Sequence, residues 1–151
     1  MALRHFAIQG EVSGEVYRTL IEASLGYCSR GLLVRRHSVP FSERAVKAIN
    51  QLSPYLVEQE ERAEWPGTKL SGHSALVFVF VLNRDSANVL LSSATGLYEW
   101  QQPDLPEDLC LVRGDSRPWL VTIAHERDAY LDLSDLEARD LLTKVPRLDL
   151  S

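Results

Sequence analysis

Two short runs in the C-terminal third carry the residue types that catalysis most often uses. His125-Glu126 sets an imidazole beside a carboxylate, and such a pair at a strand end can serve as a general base or a pH-sensitive contact. The plainer reading is a histidine that hydrogen-bonds across a turn and holds a hairpin, and that reading is preferred. Pro103-Asp104 opens like the first half of a metal-dependent nuclease motif, but no Glu stands two places before a Lys downstream of it. His5, His37, His73 and His125 are scattered, without H-x-x-x-H or a Cys/His pair at ligand spacing. The Pro-Cys-x-x-Cys element of a zinc deaminase is missing. So are the glycine patterns that cradle phosphates and the G-x-S-x-G elbow of a nucleophilic serine. These residues predict no catalytic group, no metal and no cofactor.

Cys28 and Cys110 are far apart and form no C-x-x-C pair, so both are expected as buried free thiols. Arg113-Gly114-Asp115 matches an adhesion tripeptide, but Gly-Asp is ordinary turn chemistry and is read as a turn. The chain has 151 residues, 45% of them apolar and 25% charged, which suits one globular domain spanning 1–151. The opening MALRHFAIQGEV lacks a secretory signature, and the longest apolar run, 75–82, is too short for a bilayer. A cytoplasmic, reducing location with no membrane contact is expected.

Charge is uneven along the chain. Residues 1–70 hold 9 Lys/Arg and 8 Asp/Glu, whereas 71–151 hold 7 Lys/Arg and 13 Asp/Glu. An acidic surface repels nucleic acid and anionic lipid and attracts basic partners. Nucleic-acid binding is therefore disfavoured.

The elements that would carry these residues follow from periodicity and punctuation. Ser13 offers a cap for a helix over about 14–29, whose apolar stripe runs through Cys28 and ends at Gly31. The stretch from Gly31 to His37 is a short strand candidate. Ser42 opens a second helix, and Pro54 interrupts it. Glu58, Glu60, Glu61 and Glu64 then read as a solvated face. The all-apolar run 75–82 predicts a strand covered on both sides. A helix over about 87–99 follows, then strands at 109–112, 119–124 and 129–133. In the second of these, Trp119, Val121 and Ile123 should face one way, and Leu120, Thr122 and Ala124 the other. Ser134 and Glu137 form a capping box for a last helix that Pro146 stops. The order predicts an α+β fold, an antiparallel sheet of about four to five strands with helices packed mainly on one side.

Tyr98-Glu99-Trp100, Pro103, Leu105-Pro106-Glu107-Asp108-Leu109, Trp119-Leu120 and Ile123-Ala124-His125-Glu126 together resemble a pattern in small bacterial proteins. Among these are immunity proteins that neutralise secreted or contact-delivered toxins. The resemblance covers roughly the last third of the chain. It implies a cytosolic, non-catalytic inhibitor whose partner is a basic protein, such as a nuclease toxin. The docking residues expected for it are Glu99, Trp100, Asp104, Glu107, Asp108, Asp115, Glu126 and Asp128, with Trp100 as the apolar anchor among the charges. Two alternatives stand beside it: a small enzyme with its site at His125 and Glu126, and a self-associating scaffold that pairs through strand edges or exposed aromatics.

Overall fold

The chain folds around one antiparallel sheet that takes strands from both halves of the sequence. The computed structural model describes residues 2–151. The strands are β1 (Arg4–Ala7), β2 (Cys28–Arg35), β3 (Leu56–Arg62), β6 (Ala75–Val81), β7 (Glu107–Arg113), β8 (Pro118–Ile123) and β9 (Asp128–Leu133), and β4 (Glu64–Trp65) with β5 (Thr68–Lys69) makes a separate small hairpin. The seven-stranded sheet has the order β1-β9-β8-β7-β2-β6-β3. Four helices complete the fold: α1 (Glu15–Ser24), α2 (Glu43–Leu52), α3 (Arg84–Ser93) and α4 (Asp135–Lys144). The α+β class and the antiparallel sheet are as the patterning predicts. Among the described residues, no helix is long and apolar enough to cross a membrane.

Both faces of the sheet are covered, but unequally. All four helices share the core on one face, where Tyr17, Leu20 and Ile21 of α1, Leu52 of α2, Leu90 of α3 and Leu141 of α4 meet Leu33, Phe80, Leu111, Leu120 and Leu131 of the sheet. The opposite face carries a smaller core of Val34, Val77, Val79, Cys110 and Val121, roofed by Trp65 from the β4–β5 hairpin. Both cysteines are buried and free. Burial pushes the Cys110 thiol up to about 12 and raises Cys28 as well, so neither is a thiolate at neutral pH.

The sheet has more strands than the expected four to five, because β1 and β3 join the five candidates; two segments, the start of β2 and the whole of β3, are misread. Cys28 lies on β2, not on α1, which ends at Ser24 with a turn through residues 25–27. Gly31 is not a helix stop. It sits in mid-strand opposite Phe80, where a Cβ would lie 2.2 Å from the ring's Cζ. Local periodicity cannot tell a glycine that ends a helix from one that lets a neighbouring ring approach. Gly31→Ala must push a fully buried ring into a close-packed core. It is expected to destabilise the fold by about 1–3 kcal/mol, read from the denaturant midpoint. A change below ~0.5 kcal/mol would show that the Phe80 ring has somewhere to go.

The second misread segment is β3. It pairs only with β6 and is exposed along nearly its whole length, so its sequence LVEQEER has no apolar alternation to betray a strand. Two local expectations also change. Residue Gly14, not Ser13, caps α1 and supplies no side-chain bond. Trp119 and Leu120 both join the helix-side core, because the β7–β8 register shifts between Leu111 and Val112 and breaks the alternation there.

The predicted helix caps at Ser42 and Ser134 are present. Ser42 Oγ accepts from the Ala45 amide at 3.2 Å. The Ser134–Glu137 capping box is complete, and Glu137 has a second task. Both of its oxygens accept from the Arg113 guanidinium at 2.8 Å, which ties α4 to β7 and holds the Glu137 carboxyl below the usual range. This bidentate pair, and not an adhesion loop, is what occupies the Arg113 side chain.

Candidate functional site

The first part of the pattern, from Tyr98 to Asp108, falls on one strap, 97–108, which runs from a 3-10 turn at Leu97–Glu99 into β7; Trp119-Leu120 and Ile123–Glu126 lie on β8 and the turn after it. The strap is held by its own interior side chains. Trp100 is fully buried; its Nε1 donates to Tyr17 Oη at 3.0 Å, and that hydroxyl donates to the Leu90 carbonyl at 2.7 Å. Gln102, also buried, serves as a substitute strand partner just where β2 leaves the sheet. Its Oε1 accepts from the Arg36 amide at 2.6 Å, and its Nε2 donates to the carbonyls of Arg36 and Val39. An amide side chain suits this place because it both donates and accepts.

The strap ends in a buried carboxylate pair. Glu107 is 4% exposed and Asp108 0% exposed. Asp108 has φ +57°, a conformation that Asp tolerates better than most residues. Its carboxylate accepts from the Ala124 amide at 3.0 Å and from Trp65 Nε1 at 3.3 Å, and its own amide donates to the Trp100 carbonyl. One side chain thus joins β7, the β8–β9 turn and the β4–β5 hairpin. Arg36 supplies the cation: its Nε donates to Glu107 at 2.9 Å, its Nη2 stands 3.5 Å from Asp108, and its guanidinium lies 5.2 Å from the Trp65 ring centre.

Glu107, Asp108 and His125 also bring one ligand atom each within 4.8 Å of one another, which is a spacing a metal ion could bridge. The donors do not fit that use. Arg36 already faces both carboxylates, and a divalent ion would have to share them with a guanidinium. Asp108 moreover spends both oxygens on N–H donors of the protein. The arrangement is a clamp that carries its own cation.

No protein-family model, curated protein or solved structure matches this chain.

The structure separates the eight expected docking residues into three groups. Trp100, Glu107 and Asp108 are interior, so they are corrected from surface contacts to parts of the core. The physical reason is the same for all three: each has a specific polar partner across the fold that a solvent-exposed side chain would not need. Asp115 is exposed but lies at the far end of β7, about 20 Å from Glu107 for a strand of 7 residues. It is bonded to Arg117, whose guanidinium holds the Asp115 carboxyl below the usual range. Glu99, Asp104, Glu126 and Asp128 remain in or near solvent at the same end of the sheet as the strap. Glu99 is half-buried and spends its oxygens on Thr95 and Arg44. Asp104 and Asp128 have no ion-pair partner among the described residues, and Glu126 approaches only His125, at 4.0 Å.

His125 itself is exposed and stands at a short 3-10 turn, Ala124–Glu126. A cavity of about 660 Å³ opens elsewhere, among Arg36, His37, Ser38, Leu70, His73, Ser74 and Ala75. His37 bonds Glu61 at 2.6 Å, and Ser74 donates to the same carboxylate at 2.9 Å. Sequence spacing offered no sign of this grouping, since His37, Glu61 and His73 belong to three separate segments joined only when β2, β3 and β6 pair.

Proposed function

We propose that this chain is a binding protein for a basic protein partner, of the immunity-inhibitor type that its C-terminal third resembles. It docks through the acids that the fold leaves in solvent at the corner where the turns Leu97–Glu99 and Ala124–Glu126 touch. The observation that carries this reading is the treatment of Arg127, the one cation between Glu126 and Asp128. Arg127 takes a left-handed backbone conformation, and its guanidinium is turned back onto the Tyr98 ring and Glu11. Glu126 and Asp128 are thereby left flanking a cation that is already engaged, and their charge faces solvent.

Such a corner would act on the rate of encounter more than on the final affinity, because exposed charges steer association and are screened by salt. The test uses the partner captured from extracts of the source cell at low salt. Glu126→Lys/Asp128→Lys should slow its association at least about tenfold at low ionic strength and flatten the salt dependence of the rate. Both positions are exposed, so the unfolding midpoint should stay within ~0.5 kcal/mol of the parent. Association kinetics equal to the parent's would remove this corner from the interface.

A further inference from the structure

The two edges of the seven-stranded sheet are treated differently by the chain. At β1 the C-terminal residues cover one end of the edge: the Ala7 amide donates to the Ser151 carbonyl, the Ser151 amide donates back to the Ala7 carbonyl, and Ile8 bridges Leu150. At β3, Leu56–Arg62, no segment does so among the described residues; the strand pairs with β6 on one side and presents the other to solvent. Along a strand this leaves alternate N–H and C=O groups free to pair with another chain.

We infer that β3 is a strand-addition site for an extended, basic segment of a partner protein. The charges along the edge select the occupant. Glu58, Glu60 and Glu61 lie within it, and Glu64 follows at once on β4. A second copy of this chain pairing edge to edge would set glutamates against glutamates, which destabilises cross-strand pairs, so self-association through this edge is opposed. A strand with Lys or Arg at alternate positions meets the opposite situation. Arg62 forks onto Glu58 and Glu60 on one face and offsets part of their charge, and His37 takes Glu61 on the other, so the strand keeps an excess of acid, three Glu against one Arg, with its carboxylates fixed in position. Val57, 47% exposed where the β3–β6 register shifts, adds an apolar contact at one end. Main-chain pairing then supplies adhesion, and the alternating charges supply selectivity.

This inference rests on the reading of a basic partner given above but uses a surface several strands away from Glu126 and Asp128, so the two can fail separately. The probe is a synthetic peptide, Lys-Val-Lys-Val-Lys-Val-Lys, titrated into the full chain while backbone amide resonances are followed. Saturable shifts confined to residues 56–62 and their β6 neighbours, with slowed solvent exchange of β3 amides, are expected. Glu58→Lys/Glu60→Lys should weaken binding at least about tenfold, while Glu126→Lys/Asp128→Lys should bind the peptide as the parent does. A Lys-Pro repeat of equal charge and length, which lacks the amides for pairing, should also bind at least about tenfold more weakly. Equal binding of the Lys-Pro peptide, shifts gathered at the Glu126 corner, or no saturable binding would each overturn strand addition.

Discussion

Replacing Arg36 with alanine should destabilise the fold by about 3–5 kcal/mol, because it strands two carboxylates in the interior with no cation. Glu107 and Asp108 are 4% and 0% exposed, and Arg36 stands 2.9 Å from the first and 3.5 Å from the second. Asp108 keeps its bonds to Ala124 and Trp65 in the variant, but neither donor is charged. For a chain of this size the loss corresponds to roughly 6–20 °C in thermal midpoint. The double variant Arg36→Ala/Glu107→Gln removes one stranded charge along with the cation. It should recover part of the loss, giving a coupling on the order of 1–3 kcal/mol in a double-mutant cycle. A drop under ~1 kcal/mol for Arg36→Ala would mean that water reaches the carboxylates, and the clamp would then not be closed.

Trp100→Ala is expected to be comparably severe, about 3–5 kcal/mol, for a different reason. The indole is fully buried, and its removal opens a large void in the helix-side core. It also takes the donor from the chain of bonds that runs from Trp100 through Tyr17 to the Leu90 carbonyl, which joins the strap to α1 and α3. Trp100→Phe keeps most of the volume and loses the N–H with a small part of the ring, so its cost should be nearer ~1–2 kcal/mol. Calorimetry or denaturant titration of the two variants separates packing from hydrogen bonding. The same pair bears on function: any loss of partner binding in Trp100→Ala should follow the fraction unfolded, and Trp100→Phe should bind as the parent does. A Trp100→Phe variant that folds normally but fails to bind would return Trp100 to the interface.

Much of the architecture was legible because it is written in short-range patterns. The all-apolar run over 75–82 has no amphipathic face, and β6 is indeed covered on both sides, by Phe80 in one core and by Val77 and Val79 in the other. Ser42, Ser134 and Glu137 mark helix starts because their side chains bond amides only a few residues away. The β7–β8–β9 meander was readable from apolar runs separated by turn residues. β3 was not, since an edge strand exposed on both faces shows neither a period of two nor an apolar stripe. The placement of Trp119 failed at a single register shift, which no pattern within β8 announces.

The candidate site was far less legible than the fold. Glu107 and Asp108 look, in sequence, like Glu126 and Asp128: acids near turns in an acidic third of the chain. What distinguishes them is Arg36, which is 71 residues from Glu107 and meets it only because β2 and β7 are neighbours in the sheet. An ionisable side chain does not record in its own neighbourhood whether a counter-ion lies across the fold.

The sequence by itself therefore determined the class of fold, the helix caps at Ser42 and Ser134, the buried strand and the sign of the charge, all properties set by residues within a turn or two of each other. Tertiary structure alone decided which acids are structural and which face solvent, that Trp100 is core and not anchor, and that one sheet edge is covered at one end by the C-terminal residues while the other stays open along its length. Those outcomes depend on strand order, and strand order is settled by contacts between residues far apart in the chain, where the free energy of pairing an ion or closing an edge is gained only after both partners have arrived.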